Sequence, residues 1–164
     1  MYKKIMVPLD GSKLAECVLP HVNQFVTNFK AETIIFVRVI EPAPARYSEI
    51  NSTTNPHEYA SIRRGVEKIE EERELSARSY LDEVISRVKQ NGIDFKAHVL
   101  KGPVADKLVD YVDANEIDLV LIATHGRSGI SRWVRGSIAD RVLRSARAPV
   151  LMVRADGSTS GEKD

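Results

Sequence analysis

The sequence predicts an α/β fold: a single domain on an open, parallel, five-stranded sheet with helices on both faces. Three observations carry this expectation. Strand-like runs alternate from end to end with stretches whose apolar residues recur every three or four positions. The run Ile117-Asp118-Leu119-Val120-Leu121-Ile122 is apolar at all but one position, as a strand covered on both faces requires. The length, 164 residues with 43% hydrophobic content, is enough for one real core and would cramp two.

Taken in order, Lys4 to Leu9 reads as the first strand and Asp10-Gly11-Ser12 as the turn leaving it, with Ser12 placed to cap a helix. That helix carries Ala15, Val18, Leu19, Val22, Phe25, Val26 and Phe29 inward, and Pro20 predicts a kink within it. Thr33 to Ile40, β-branched and aromatic, is a second strand stopped by Glu41-Pro42. From Pro42 to about Ile62 three prolines and the polar run Asn51 to Asn55 interrupt the pattern, which reads as a flexible insert over 43–62. A flap over a site and a disordered spacer both fit it.

A charged helix is expected from about Arg64 to Gln90, with Val66, Ile69, Ala77, Tyr80, Leu81, Val84, Ile85 and Val88 inward. Asn91-Gly92 ends it, and Phe95 to Leu100 alternates as a third strand. Gly102-Pro103 opens a helix that buries Val104, Ala105, Leu108, Val109 and Val112. The fourth strand, Ile117 to Ile122, runs into a glycine-bearing loop, and a helix from Ser137 to about Ala146 shows Ile138, Val142, Leu143 and Ala146 inward. Pro149 introduces a last strand, Val150 to Val153, and the glycine, serine and charge after residue 154 read as a disordered tail. The expected domain is thus 1–154, with a tail over 155–164. Alternation of strand and helix implies right-handed crossovers, and ligands of such sheets bind beyond the carboxyl ends of strands, where Asp10 and the loop at Ala123 both lie.

Composition narrows the function. The lone Cys17 rules out an intramolecular disulfide and suits a packed thiol in a reducing, cytoplasmic setting. The apolar stretch near the N-terminus is too short for a signal sequence or a membrane span, so no membrane partner is expected. A formal net charge of +1, with no basic stripe interleaved with aromatics, argues against nucleic acid. His21, His57, His98 and His125 lack metal-ligand spacing, and Met6 stands where a P-loop ending in Gly11-Ser12-Lys13 would need glycine. No catalytic residue or metal ligand is assigned.

The segment Ala123-Thr124-His125-Gly126-Arg127-Ser128-Gly129, followed by Gly136-Ser137 and a helix, suits phosphate. Glycine lets backbone amides approach an anion, Ser137 can cap the helix beginning at Ile138, and unpaired amides at a helix start favour negative charge. Arg127, Arg132, Arg135, Arg141, Arg144, Arg147 and Arg154 face one acid, Asp140, between His125 and Arg154. A solvated arginine face explains most of them, and Arg127, inside the turn, is the one assigned to a ligand. Asp10-Gly11-Ser12 can serve as turn and cap alone.

The segments Lys4 to Ser12, Asp118 to Gly129 and Gly136 to Val153 together resemble the signature of the universal stress protein family in order and spacing. The resemblance implies a Rossmann-like sheet, like that of the adenine nucleotide alpha hydrolases, in the order 3-2-1-4-5. It also implies a homodimer formed through Val150 to Val153. The family divides into ATP-binding and non-binding members, and the binding pattern is Gly, two residues, Gly, nine residues, Gly, then Ser or Thr. Gly126, Gly136 and Ser137 match it, whereas Ala123 replaces the first glycine.

Carried over by position, the resemblance puts Pro8 and Asp10 at the adenosine end, Val39 beside the adenine, and Ile122 and Ala123 beside the nucleoside. Gly126, Arg127, Gly136, Ser137 and Ile138 would meet the phosphates. The implied ligand is ATP, or AMP or another adenine nucleotide, with Mg2+ entering through the phosphates. The implied role is that of a nucleotide-regulated stress-response protein. A nucleotide-free dimeric scaffold and a slow ATPase or autophosphorylating protein are the alternatives.

Overall fold

The computed structural model describes residues 2–42, 56–89, 92–125 and 138–155. Five strands, β1 (Lys4–Pro8), β2 (Thr33–Ile40), β3 (Asp94–Lys101), β4 (Leu119–His125) and β5 (Val150–Ala155), form one sheet in the order β3-β2-β1-β4-β5 with every pair parallel. The crossovers are α1 (Leu19–Phe29), preceded by a 3-10 turn over Ala15–Val18, then α2 (Pro56–Val88), α3 (Val104–Ala114) and α4 (Ile138–Ser145). Fold class and strand order are those the sequence implied.

Alternation along each strand sorts the core into two layers. Ile5, Val7, Ile34, Phe36, Leu119 and Leu121 meet Val18, Val22 and Val26 of the first crossover and Leu81, Val84 and Val88 of α2. Met6, Ile35, Val37, Val120 and Ile122 meet Leu108, Tyr111 and Val112 of α3 and Ala139 and Val142 of α4. Phe36, Ile5, Met6 and Leu121 are fully buried, each burial contributing roughly 1.5–3 kcal/mol against exposure.

Several expected boundaries shift for physical reasons. Pro20 does not kink a helix: it occupies the first turn of α1, where its missing N–H costs nothing, and the residues before it form the separate 3-10 turn. Phe29, expected inward, is 48% exposed at the last turn of α1. Helix α2 begins at Pro56 rather than Arg64, so residues 56–62 of the expected insert are helical; residues 43–55 lie outside the described ones. Its first half runs past the sheet, which leaves Ile69 49% exposed although its spacing suits a core. On α3, Tyr111 is buried and Val109 only half-buried.

Ile138 and Leu143, expected inward on α4, are 43% and 42% exposed, and the small Ala139 and Val142 face the sheet instead. Strand β4 starts two residues later than expected and continues to His125. Strand β5 runs on to Ala155, which pairs with His125 and is buried, so strand rather than tail occupies residue 155; residues 156–164 lie outside the described ones. Cys17 is half-buried and packs against the first core layer.

Candidate functional site

The two central strands are fastened at their amino ends and part at their carboxyl ends. Asp118, just before β4, accepts the backbone N–H groups of Lys3 and Lys4 through Oδ2 at 3.0 and 2.8 Å, and donates its own N–H to the Lys4 carbonyl at 2.9 Å. Pairing between β1 and β4 is confined to Ile5↔Leu119 and Met6↔Val120. Beyond Met6, β1 stays with β2 through Pro8↔Val37, and Leu9 donates its N–H to the Val37 carbonyl at 2.9 Å. Beyond Val120, β4 follows β5 to His125↔Ala155. The sheet therefore opens at its topological switch point, where sequence order reverses across β1 and β4.

The sequence-assigned residues with described positions share this carboxyl rim. Pro8 ends β1, Asp10 follows it, Val39 lies near the end of β2, and Ile122 and Ala123 lie on β4 past the last β1 pairing. Ile138 opens α4, which packs on the layer containing Ile122. Gly126, Arg127, Gly136 and Ser137 lie outside the described residues.

Ala123 pairs with Val153 as an ordinary strand residue, and the described non-glycine residues with positive φ are Lys30 and Glu116. Its methyl packs against the α1/α2 core layer, whereas Ile122 faces the other layer. Alanine in place of the family's glycine is thus accommodated by strand geometry here, without left-handed backbone.

The turn after β1 is tightly organised. Asp10 Oδ1 accepts the Ser12 N–H at 2.8 Å, and Ser12 Oγ accepts the Ala15 N–H at 3.1 Å, so the turn-and-cap reading of Asp10-Gly11-Ser12 describes its local structure. Gly11 sits at φ +91°, and a Cβ there would lie 3.0 Å from Arg38 Nη2 and 3.1 Å from both Cζ and Nη1. Near-equal distances to three guanidinium atoms place Gly11 over the plane of Arg38. Two requirements, left-handed backbone and room for that arginine, therefore select glycine at this position.

Sequence reasoning passed over Arg38, although a lone charge within the strand Thr33–Ile40 was the available signal. Its Cζ lies 5.2 Å from the centroid of the Tyr80 ring on α2. Tyr80 Oη donates to Glu16 Oε1 at 3.1 Å, and Arg87 Nη1 donates to Glu16 Oε2 at 3.0 Å. Burial, reinforced by the Glu16 carboxylate, pushes the Tyr80 hydroxyl well above its ordinary range and keeps it a neutral donor. The Arg87 hydrogen bond holds the Glu16 carboxyl below its usual range. These contacts tie α2 to the 3-10 turn and to the base of the Asp10 turn.

A family model described as Universal stress protein family matches residues 1–154. The chain belongs to the universal stress protein family.

Within it, Universal stress protein MJ0577 of Methanocaldococcus jannaschii is 27% identical over 162 residues, covering 96% of this chain and 98% of that protein. The solved structure of MJ0577 superposes with a TM-score of 0.74 at 24% identity, over 96% of this chain and 99% of that one. A universal stress protein in complex with cAMP gives a TM-score of 0.63 at 21% identity, over 94% and 98% of the two chains. The universal stress protein from Archaeoglobus fulgidus in complex with dAMP gives 0.55 at 20% identity, over 92% and 97%. Likeness to solved structures at these identities establishes the universal stress protein fold. Among the described residues of this family member no helix is long and apolar enough to cross a membrane.

Proposed function

We propose that this universal stress protein binds an adenine nucleotide, ATP foremost, in the crevice at the carboxyl ends of β1 and β4, and acts as a nucleotide-responsive homodimer. The observation that carries the reading is the parting of β1 and β4 after Met6 and Val120, which brings Pro8, Asp10, Ile122 and Ala123 to one rim with Val39 alongside. Structural neighbours that hold cAMP or dAMP support the ligand class. The residues present fit the nucleoside: one oxygen of Asp10 is taken by the Ser12 N–H, and a carboxylate has further acceptor capacity for ribose hydroxyls or an exocyclic amine. Ala123, held as a strand residue with its methyl in the core layer, does not obstruct that arrangement.

Gly126, Arg127, Gly136, Ser137 and the start of α4 at Ile138 are the residues assigned to the phosphates, with Mg2+ arriving on them rather than on a preformed cage of side chains. When bound, the nucleotide supplies polyanionic charge, and the chain's part is to orient it and to change shape with occupancy. The dimer would form through β5, an edge strand whose Leu151 and Met152 are 40% and 41% exposed.

The test is to denature freshly purified protein, identify any released nucleotide by chromatography, and titrate the stripped protein with Mg-ATP in a calorimeter. Stoichiometric nucleotide or micromolar rebinding, a free energy of about −8 kcal/mol, is the expected result. A bulky residue in place of Gly136 should abolish the binding heat. No released nucleotide and no heat would instead favour the nucleotide-free scaffold motivated by Ala123. Phosphate release or self-labelling measured on the same preparation decides the slow ATPase or autophosphorylation alternative.

A further inference from the structure

We propose that Arg38 is a specificity-determining residue for a phosphate carried on the 2′ or 3′ ribose oxygen of an adenine nucleotide. The proposal rests on the nucleotide reading above and deepens it by naming a second anionic subsite. Four observations carry it. Arg38 is the one charged side chain of β2, set among Ile34, Ile35, Phe36 and Val37, all buried. Its guanidinium is held in place, packed against Gly11 and over the Tyr80 ring, with Tyr80 anchored in turn by Glu16.

Among the described residues that guanidinium has no hydrogen-bond or ion-pair partner, whereas Arg63, Arg78 and Arg87 of α2 each pair with an acid. A pre-oriented guanidinium with unspent N–H donors is suited to bidentate contact with phosphate. Finally, its place is at the carboxyl end of β2 beside the Asp10 turn, the nucleoside end of the rim, with β1 between it and the β4–α4 crossover assigned to the 5′ phosphates. Asp10 alone suits ribose hydroxyls. An added phosphate on that ribose would be repelled by the Asp10 carboxylate unless a cation accompanies it, and Arg38, packed against Gly11, is a cation beside that turn.

The experiment titrates nucleotide-stripped full chain with AMP, adenosine 3′,5′-bisphosphate, adenosine 2′,5′-bisphosphate and ATP, for the native chain, Arg38→Gln and Arg38→Lys. One of the bisphosphates is expected to bind about tenfold more tightly than AMP, a ratio that falls to about one in Arg38→Gln and keeps part of its value in Arg38→Lys. Affinity ratios within one variant are read, so a general loss of stability does not imitate the effect, and Arg38→Lys retains the charge should the glutamine variant fold poorly. The proposal is overturned if neither bisphosphate exceeds AMP in the native chain, or if the ratio survives in Arg38→Gln. It is equally overturned if Arg38→Gln lowers the ATP-to-AMP ratio instead, which would move Arg38 to the 5′ phosphate chain. AMP binding without a bisphosphate advantage leaves the nucleotide reading standing, whereas absence of binding by all four ligands removes both.

Discussion

The two edges of the sheet are finished differently. At the β3 edge, α2 lies alongside, and Arg78 Nη1 donates to the outward Ala97 carbonyl at 2.8 Å while its Nε pairs with Asp82 at 3.3 Å. Lys101 at the end of β3 pairs with Glu74 of the same helix at 2.6 Å. A charged side chain on an edge carbonyl is an obstacle to a second strand. At the β5 edge Leu151 and Met152 are exposed, and Val150 to Ala155 pairs with β4 alone among the described residues. The strands also differ in sequence, β3 carrying Asp94, Lys96, His98 and Lys101 and β5 only Arg154, so composition and the packing of α2 together set the two edges apart. One edge is closed by the chain itself, and the other keeps Leu151 and Met152 exposed, as the proposed dimer through β5 requires.

The largest expected effect comes from breaking the open edge. Lysine at both Leu151 and Met152 should convert a dimer to monomer, weakening association at least about a hundredfold, because like charges would face each other across the pair. Light scattering across a concentration series checks this, and an unchanged dimer mass would put the interface elsewhere. Opening the closed edge is the converse. Arg78→Ala removes the donor on Ala97 and should lower stability by about 1 kcal/mol, with increased self-association on concentration. Denaturant midpoints and sedimentation report the two consequences separately, and an unaltered sedimentation profile would show that α2 closes that edge without Arg78.

The clamp that seats α2 makes a smaller, pH-dependent contribution. Glu16 has a folded pKa lowered chiefly by Arg87, so its stabilisation is present above the ordinary carboxyl range and is lost as pH falls through the folded value. Glu16→Gln should flatten the acid limb of a stability-versus-pH curve below about pH 4.5. A limb of unchanged steepness would assign acid sensitivity to other carboxyls. Smallest is His98 on β3, which faces Tyr111 edge-on at 5.5 Å and has its pKa lowered first by burial, then by Arg78 and Lys96. The unfolded chain binds that proton more readily, so stability should decline as pH drops below about 6.5, and His98→Gln should remove that slope.

Much of this was legible in the linear pattern. Thr33–Ile40 is a strand by composition alone, and its observed bounds match the expected ones. Ile69 shows the limit: its spacing on α2 is that of a core residue, yet the helix extends beyond the sheet and nothing in the spacing records where the sheet ends. Ile138 and Leu143 fail for a related reason, since the sheet surface under α4 selects the small Ala139 and Val142. At the candidate site, Pro8, Asp10, Val39, Ile122 and Ala123 were assigned through the family resemblance, but Arg38, Tyr80 and Glu16 come from three segments and are joined by contacts that no local pattern encodes.

By itself the sequence determined the alternation of strand and helix and the parallel sheet, because periodicity and turn chemistry are local properties. Only the tertiary structure decided where β1 leaves β4, whether Ala123 needs left-handed backbone, which sheet edge is covered and what surrounds the Arg38 guanidinium. Each of those depends on segments brought together across the sheet, where packing and hydrogen bonding choose among conformations that the local chain permits equally.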